Sequence, residues 1–158
     1  MAYTIKEIID IAVGIEESGL EFYTRCSKKF KEPSISDVFE FLAREEQAHK
    51  ELFQSLYGRP EPKGVFNDEY FAYIKAIGGR VFDWQKRDMD DILQNINKPL
   101  DAVQHAFIAE KDSILFYSEV KPMYGNNDEV IPLLDKIINE ERKHVATLVD
   151  LADKLRLA

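Results

Sequence analysis

Two short motifs carry the chemistry of this chain, Glu46-x-x-His49 and Glu141-x-x-His144. On a helix, each sets an oxygen donor and a nitrogen donor one turn apart on the same face. Two further carboxylates, Glu16 and Glu110, precede the motifs by 30 and 31 residues. All of them fall in the middle of apolar stripes with steps of three and four. The stripes read Ile5, Ile9, Ala12, Glu16, Gly19, Tyr23, Cys26; Ile35, Phe39, Leu42, Glu46, His49, Phe53, Leu56; Val103, Ala106, Glu110, Ser113, Tyr117, Val120; and Leu134, Ile137, Glu141, His144, Leu148, Leu151. Four carboxylates turned into one apolar core would each cost on the order of several kcal/mol if left unpaired. No Lys or Arg occupies those stripes, so positive charge must come from elsewhere, and a pair of metal ions supplies it. A solvated or hydrogen-bonded cluster is the alternative. A single Glu-x-x-His arises easily by chance on an acidic helix. Two of them, 95 residues apart and using two of only three histidines, form a much more specific pattern.

The elements that must hold these residues are bounded by breakers at Pro33, Gly58 to Gly64, Gly78-Gly79, Pro99 and Pro122 to Gly125. Helical spacing predicts four long helices over about Ile5–Lys29, Ser34–Tyr57, Pro99–Val120 and Asn127–Leu157. Thr4 and Glu7 form a capping box before the first. Gly58 is placed to cap the second, and Pro99 suits the first turn of the third. Pro132 starts the fourth near Ile131 or bends it there. Residues 58–98 form a long crossover, expected to carry short helices over about Asp68–Ile77 and Asp88–Ile96. The chain is thus read as one domain, residues 1–158, made of helical hairpins over about 4–57 and 99–157.

The halves repeat. IAVGIEESGLEFYTRCS aligns with HAFIAEKDSILFYSEVK at an offset of 94, and FLAREEQAHKELF with KIINEERKHVATL at an offset of 95. Each hairpin carries Glu, then Tyr seven residues on, then Glu-x-x-His. One Glu from each of two helices with Glu-x-x-His from each of two others is the donor set of ferritin-like di-iron and di-manganese bundles. The expected fold is therefore all-α, a ferritin-like antiparallel four-helix bundle with the crossover between its second and third helices.

Composition removes other classes. The net charge of −8 opposes nucleic acid and anionic membranes as partners. No apolar run approaches the ~20 residues of a membrane span. MAYTIKEIID lacks the basic-then-apolar order of a secretory signal. The lone Cys26 forms no disulfide within the chain and fits a reducing cytoplasm.

The segments IEESGLEFY, EEQAHKELF, AEKDSILFY and EERKHVATL resemble the di-iron domain of rubrerythrins and their stand-alone ferritin-like relatives, over about Ile5 to Leu151. The resemblance implies that Glu16 and His49 serve one iron and Glu110 and His144 the other, with Glu46 and Glu141 bridging. Manganese or zinc are substitutes for iron at such a site. Rubrerythrins also carry a rubredoxin domain with two Cys pairs, which this chain lacks, and a further Glu where it has Ser113. The electron donor is then external, such as a rubredoxin-like protein.

Other residues support narrower readings. Tyr23 and Tyr117 lie two turns beyond Glu16 and Glu110. Each is either a second-layer partner that hydrogen-bonds a ligating carboxylate or passes electrons, or else an amphipathic core tyrosine. His105 falls off its stripe and is expected at the surface. Glu17, Glu45 and Glu140 point about 100° from their ligand neighbours and are expected in solvent. Cys26 reads as a small buried apolar group, and Trp84 with Phe82 and Val81 as an anchor of the crossover onto the bundle or a second subunit.

Three functions fit. The first is a di-iron oxidoreductase reducing peroxide or dioxygen in oxidative-stress defence, since hard oxygen ligands favour ferric iron and imidazole accepts ferrous iron. The second is a ferroxidase or iron-handling protein, and the third a metal-stabilised module without turnover. A homodimer in the cytoplasm is expected.

Overall fold

Capping fixes where the helices start. In the computed structural model, which describes residues 4–59, 67–79 and 89–158, the Thr4 hydroxyl accepts from the Glu7 amide while the Glu7 carboxylate accepts from the Thr4 amide at 3.0 Å. Helix α1 runs from that box over Ile5–Lys29. After three intervening residues Pro33 opens α2, Pro33–Gln54, with its fixed φ suited to a first turn. Such a short connection forces α1 and α2 into an antiparallel hairpin. The second helix ends three residues before the expected Tyr57. Residues 55–58 form a turn instead, closed by Gly58 at φ +78°.

The second hairpin is built the same way. Pro99 starts α5, Pro99–Val120, and the Asp101 carboxylate takes the free amides of Asn97 and Lys98 at 3.1 and 2.9 Å. A 3-10 turn, Lys121–Tyr124, and Gly125 at φ +56° reverse the chain. Asn127 then accepts from the amides of Glu129 and Val130, and α6 runs over Val130–Leu157. Its start lies beside Ile131, so Pro132 sits in the first turn, where its missing amide costs little.

Together α1, α2, α5 and α6 form a four-helix bundle, with α1 packed on α2, α5 on α6, and contacts between α1 and α5 and between α2 and α6. All regular structure among the described residues is helical. Glu16 of α1 meets Tyr117 of α5 while the later Tyr23 meets the earlier Glu110, so those helices also run antiparallel; Glu46 with His144 and His49 with Glu141 show the same for α2 and α6. It follows that α2 and α5 point the same way. The chain must therefore travel back the length of a helix between them, ~33 Å for 22 residues. Part of that return is α3, Asp68–Gly78, which packs across α1 and α5. Another part is α4, Met89–Gln94, whose Met89, Ile92 and Leu93 join the core around Phe22. Arg25 pairs with Asp90, and Lys29 donates to the Leu93 carbonyl at 3.0 Å, tying α4 to the end of α1. The anchor expected of Trp84, Phe82 and Val81 lies outside the described residues.

Two apolar clusters fill the bundle. One gathers Ile9, Ala12, Phe53, Phe116 and Leu134; the other gathers Phe22, Phe39, Leu42, Val103 and Leu148. Cys26 belongs to the second and is fully buried. His105, expected at the surface, is half-buried and stacks on Phe22 at 5.2 Å, because the aromatic ring of α1 draws the imidazole inward. Among the described residues, no helix is long and apolar enough to cross a membrane.

The contact of α3 with the bundle depends on Gly78. A Cβ there would stand 2.6 Å from side-chain carbons of both Ile11 and Phe116. Gly78→Ala should therefore lower stability by about 1–3 kcal/mol although alanine is the better helix former. Urea unfolding followed by circular dichroism checks this, and an unchanged or raised midpoint would contradict so close a seat.

Candidate metal centre

Between the two apolar clusters lies a polar layer. Glu16 from α1, Glu46 and His49 from α2, Glu110 from α5, and Glu141 and His144 from α6 meet there, none more than 2% exposed. The stripes aim these side chains inward, and the apolar residues before and after them on each helix seal the layer from both sides.

The donors sort into two overlapping groups. Glu16, Glu46, His49 and Glu141 bring ligand atoms within 4.8 Å of one another, and so do Glu46, Glu110, Glu141 and His144. Glu46 and Glu141 belong to both. Both imidazoles turn Nδ1 into the layer. His49 Nδ1 lies 3.1 Å from Glu141 Oε1 and 3.5 Å from Glu16 Oε2. His144 Nδ1 lies 3.0 Å from Glu141 Oε2, 3.4 Å from Glu46 Oε1 and 3.6 Å from Glu110 Oε1. The two rings stack with centroids 5.5 Å apart.

The tyrosines cross between hairpins. Tyr23 on α1 donates its hydroxyl to Glu110 on α5, and Tyr117 on α5 donates to Glu16 on α1. Both are fully buried, Tyr23 in one apolar cluster and Tyr117 in the other, so each is at once a core residue and a partner of a layer carboxylate. Burial, followed by the charge of the facing glutamates, pushes both phenols well above their ordinary value, so they remain donors.

Buried charge dominates the electrostatics. Burial raises the Glu46 carboxyl well above the ordinary range, and the charges of Glu16, Glu141 and Glu110 add to it. Glu110 and Glu16 rise too, first from burial and then from Glu141. Burial would also raise Glu141, but hydrogen bonds from Glu110, His144 and His49 outweigh it and hold that carboxylate below the usual range. Burial opposes the protonated imidazole of His49, yet Glu141 and Glu16 outweigh it and hold the ring up at about 12; His144 is raised for the same reason by Glu110, Glu141 and Glu46. In the metal-free chain the two imidazolium rings thus supply the positive charge that the stripes lack.

The donor set fits a pair of divalent ions. Among the described residues, three buried side-chain atoms have no hydrogen-bond partner: Glu16 Oε2, Glu46 Oε1 and His144 Nε2. Two of these are carboxylate oxygens inside the layer, where cations displacing the imidazole protons would meet them. Hard oxygens with one imidazole per group suit iron, manganese or zinc.

Sequence periodicity missed Glu140. It is 23% exposed rather than solvated, and its carboxylate sits 3.0 Å from His49 Nε2, the nitrogen facing away from the layer. Such a bond fixes the tautomer and orientation of a ligating imidazole. Glu45 is likewise half-buried and joins His49 and Glu140 within 4.8 Å. Their equivalence across the 95-residue repeat was the available signal. Glu17 does face solvent, paired with Lys50 at 2.8 Å. Ser113 is buried, and its hydroxyl donates back to the Ala109 carbonyl at 2.9 Å.

The sequence profile of the rubrerythrin family matches residues 7–152. No curated protein matches the chain. Among solved structures, that of a candidate ferritin-like diiron-carboxylate protein from Thermotoga maritima is similar, with a TM-score of 0.71 at 24% sequence identity, over 96% of this chain and 95% of that one. At that identity the likeness is one of fold.

The shifted groups set a pH dependence. Glu16, Glu46 and Glu110 keep their protons above 4.5, where the unfolded chain releases them, so metal-free stability falls as pH rises from there through the folded values. His49 acts in the same sense higher up: its contribution is complete below 6.5 and fades as pH rises toward about 12. Glu141 works oppositely, losing its contribution only as pH falls below 4.5. Urea unfolding of the metal-stripped protein between about pH 5 and pH 9 should show declining stability. A flat profile would mean that these groups are hydrated.

Proposed function

The chain belongs to the rubrerythrin family, and we propose that within it the protein is a di-iron carboxylate oxidoreductase that reduces peroxide or dioxygen with electrons from an external donor. One observation carries this reading: two buried ligand groups that share Glu46 and Glu141. Glu16 and His49 would hold one ion, Glu110 and His144 the other, and the shared carboxylates both. Iron bound there supplies two electrons together, as cleavage of a peroxide O–O bond requires.

The chain's own groups do the rest. Glu141 already contacts both histidines, one through each oxygen, and so sets their separation. Tyr23 and Tyr117 hold their phenolic protons against Glu110 and Glu16 and fix the direction of those carboxylates. Glu140 orients His49 from behind. The apolar clusters on either side exclude bulk water. Cys26 offers no redox relay, since burial pushes its thiol up to about 12. A separate donor of the rubredoxin type is what this reading expects. Ser113 is spent on the Ala109 carbonyl and adds no ligand, which leaves the cluster with six donor residues. A cytoplasmic homodimer active in oxidative-stress defence is the setting this reading expects.

Metal analysis followed by stopped-flow oxidation tests it. The protein should bind two ions, Glu46→Ala or Glu141→Ala should lower occupancy of both, and His49→Ala or His144→Ala mainly of one. The reduced protein should be oxidised once by peroxide and turn over only with a reductase and rubredoxin-like donor present. Faster reaction with dioxygen would favour an oxidase or an iron-oxidation role over peroxide reduction. Inertness to both oxidants would leave a metal-stabilised module.

A further inference from the structure

Gly19 lies in the middle of α1, one turn beyond Glu16, where the helix has no need of a glycine. Its backbone is helical, and a glycine there weakens the helix relative to alanine. The nearby Gly14 has nothing within 4 Å of the position a Cβ would take. Gly19 is different. A Cβ on it would stand 2.5 Å from Glu46 Oε2, 3.1 Å from Cδ and 3.3 Å from Cγ, inside contact distance of the whole carboxylate end.

The two shared carboxylates are held unequally. Glu141 has each oxygen bonded to a different histidine. Glu46 has no such pair of hydrogen bonds: its Oε1 lies 3.4 Å from His144 Nδ1 without hydrogen-bond geometry, and its Oε2 occupies the space that a Cβ on Gly19 would need. The repeat is broken at this point as well, for the residue equivalent to Gly19 in the second half is Ser113.

We propose that Gly19 is a positioning residue for the metal centre: the space left by its missing Cβ is the seat of the Glu46 carboxylate, and that seat sets how tightly the shared position binds divalent cations. The proposal rests on the metal-binding reading above. Where Glu141 is hydrogen-bonded by two histidines, Glu46 has one histidine at 3.4 Å from Oε1 and the space over Gly19 for Oε2.

Mn2+ titration of the metal-stripped full chain by calorimetry, with thermal melting of each metal-free variant, separates the alternatives. Gly19→Ala should fold and lose at least ~10-fold in Mn2+ affinity, the scale on which groups behind a ligand act. Gly14→Ala and Ser113→Ala should stay within ~3-fold of the wild type. The decisive arm combines Gly19→Ala with Glu46→Asp, which withdraws the carboxylate by one methylene. In the Glu46→Asp background the added Gly19→Ala should cost less than ~3-fold, a non-additivity that loss of helix packing would not produce. If Gly19→Ala alone fails to fold, recovery of folding in the double variant demonstrates the same coupling. Equal costs in both backgrounds, no cost in either, or failure of both variants to fold would overturn the proposal. A wild-type chain that takes up no Mn2+, Fe2+ or Zn2+ would instead overturn the metal reading on which it rests.

Discussion

The structure depends on keeping four carboxylates dry. Two like charges 4 Å apart repel by about 4 kcal/mol even at an effective dielectric near 20, and here four glutamates share one layer at the centre of a helical bundle. The metal-free chain meets this by division of labour. Glu141 stays ionised between two protonated histidines, while Glu46, Glu110 and Glu16 are driven toward their neutral forms. That arrangement places full charge where two cations already stand and withholds it elsewhere. It also makes the layer a site whose protons leave as metal arrives.

The rest of the fold secures this layer geometrically. Apolar residues above and below it anchor all four helices, so each glutamate or histidine leaves a helix that is already fixed one turn away on either side. The tyrosines extend that anchorage into the layer, each rooted in one apolar cluster and reaching a carboxylate on the opposite hairpin. Because α2 and α5 run in the same direction, the crossover has to traverse the bundle, and α3 uses the passage to cover α1 and α5.

Much of this was legible in the sequence because helical spacing reports a face directly. Glu16, Glu46, His49, Glu110, Glu141 and His144 interrupt apolar stripes, and all six do meet in the core. The Thr4 capping box and the Pro33 and Pro99 starts were equally plain, since they use bonds between near neighbours. What periodicity within one helix does not encode is the partner across the interface. Glu140 is one residue off its stripe, yet it reaches His49 because α2 presents the back of that imidazole to α6. His105 was misplaced for the same reason, through a ring on another helix. The early end of α2 reflects the turn closed by Gly58, a local preference that won over continued apolar spacing.

The crossed tyrosine bonds have a mechanical consequence. Each hairpin carries one glutamate, one Glu-x-x-His and one tyrosine, but its tyrosine serves the glutamate of the other hairpin. Both ligand groups likewise draw on α2 and α6 together. Neither hairpin therefore owns half a site that works by itself. Sliding one hairpin along the other by a single turn, about 5.4 Å, would break both phenol contacts and scatter both groups at once. The register between the hairpins is thus locked at the middle of the bundle, where the lever arm to either end is shortest and where any bound ion would act as a rivet.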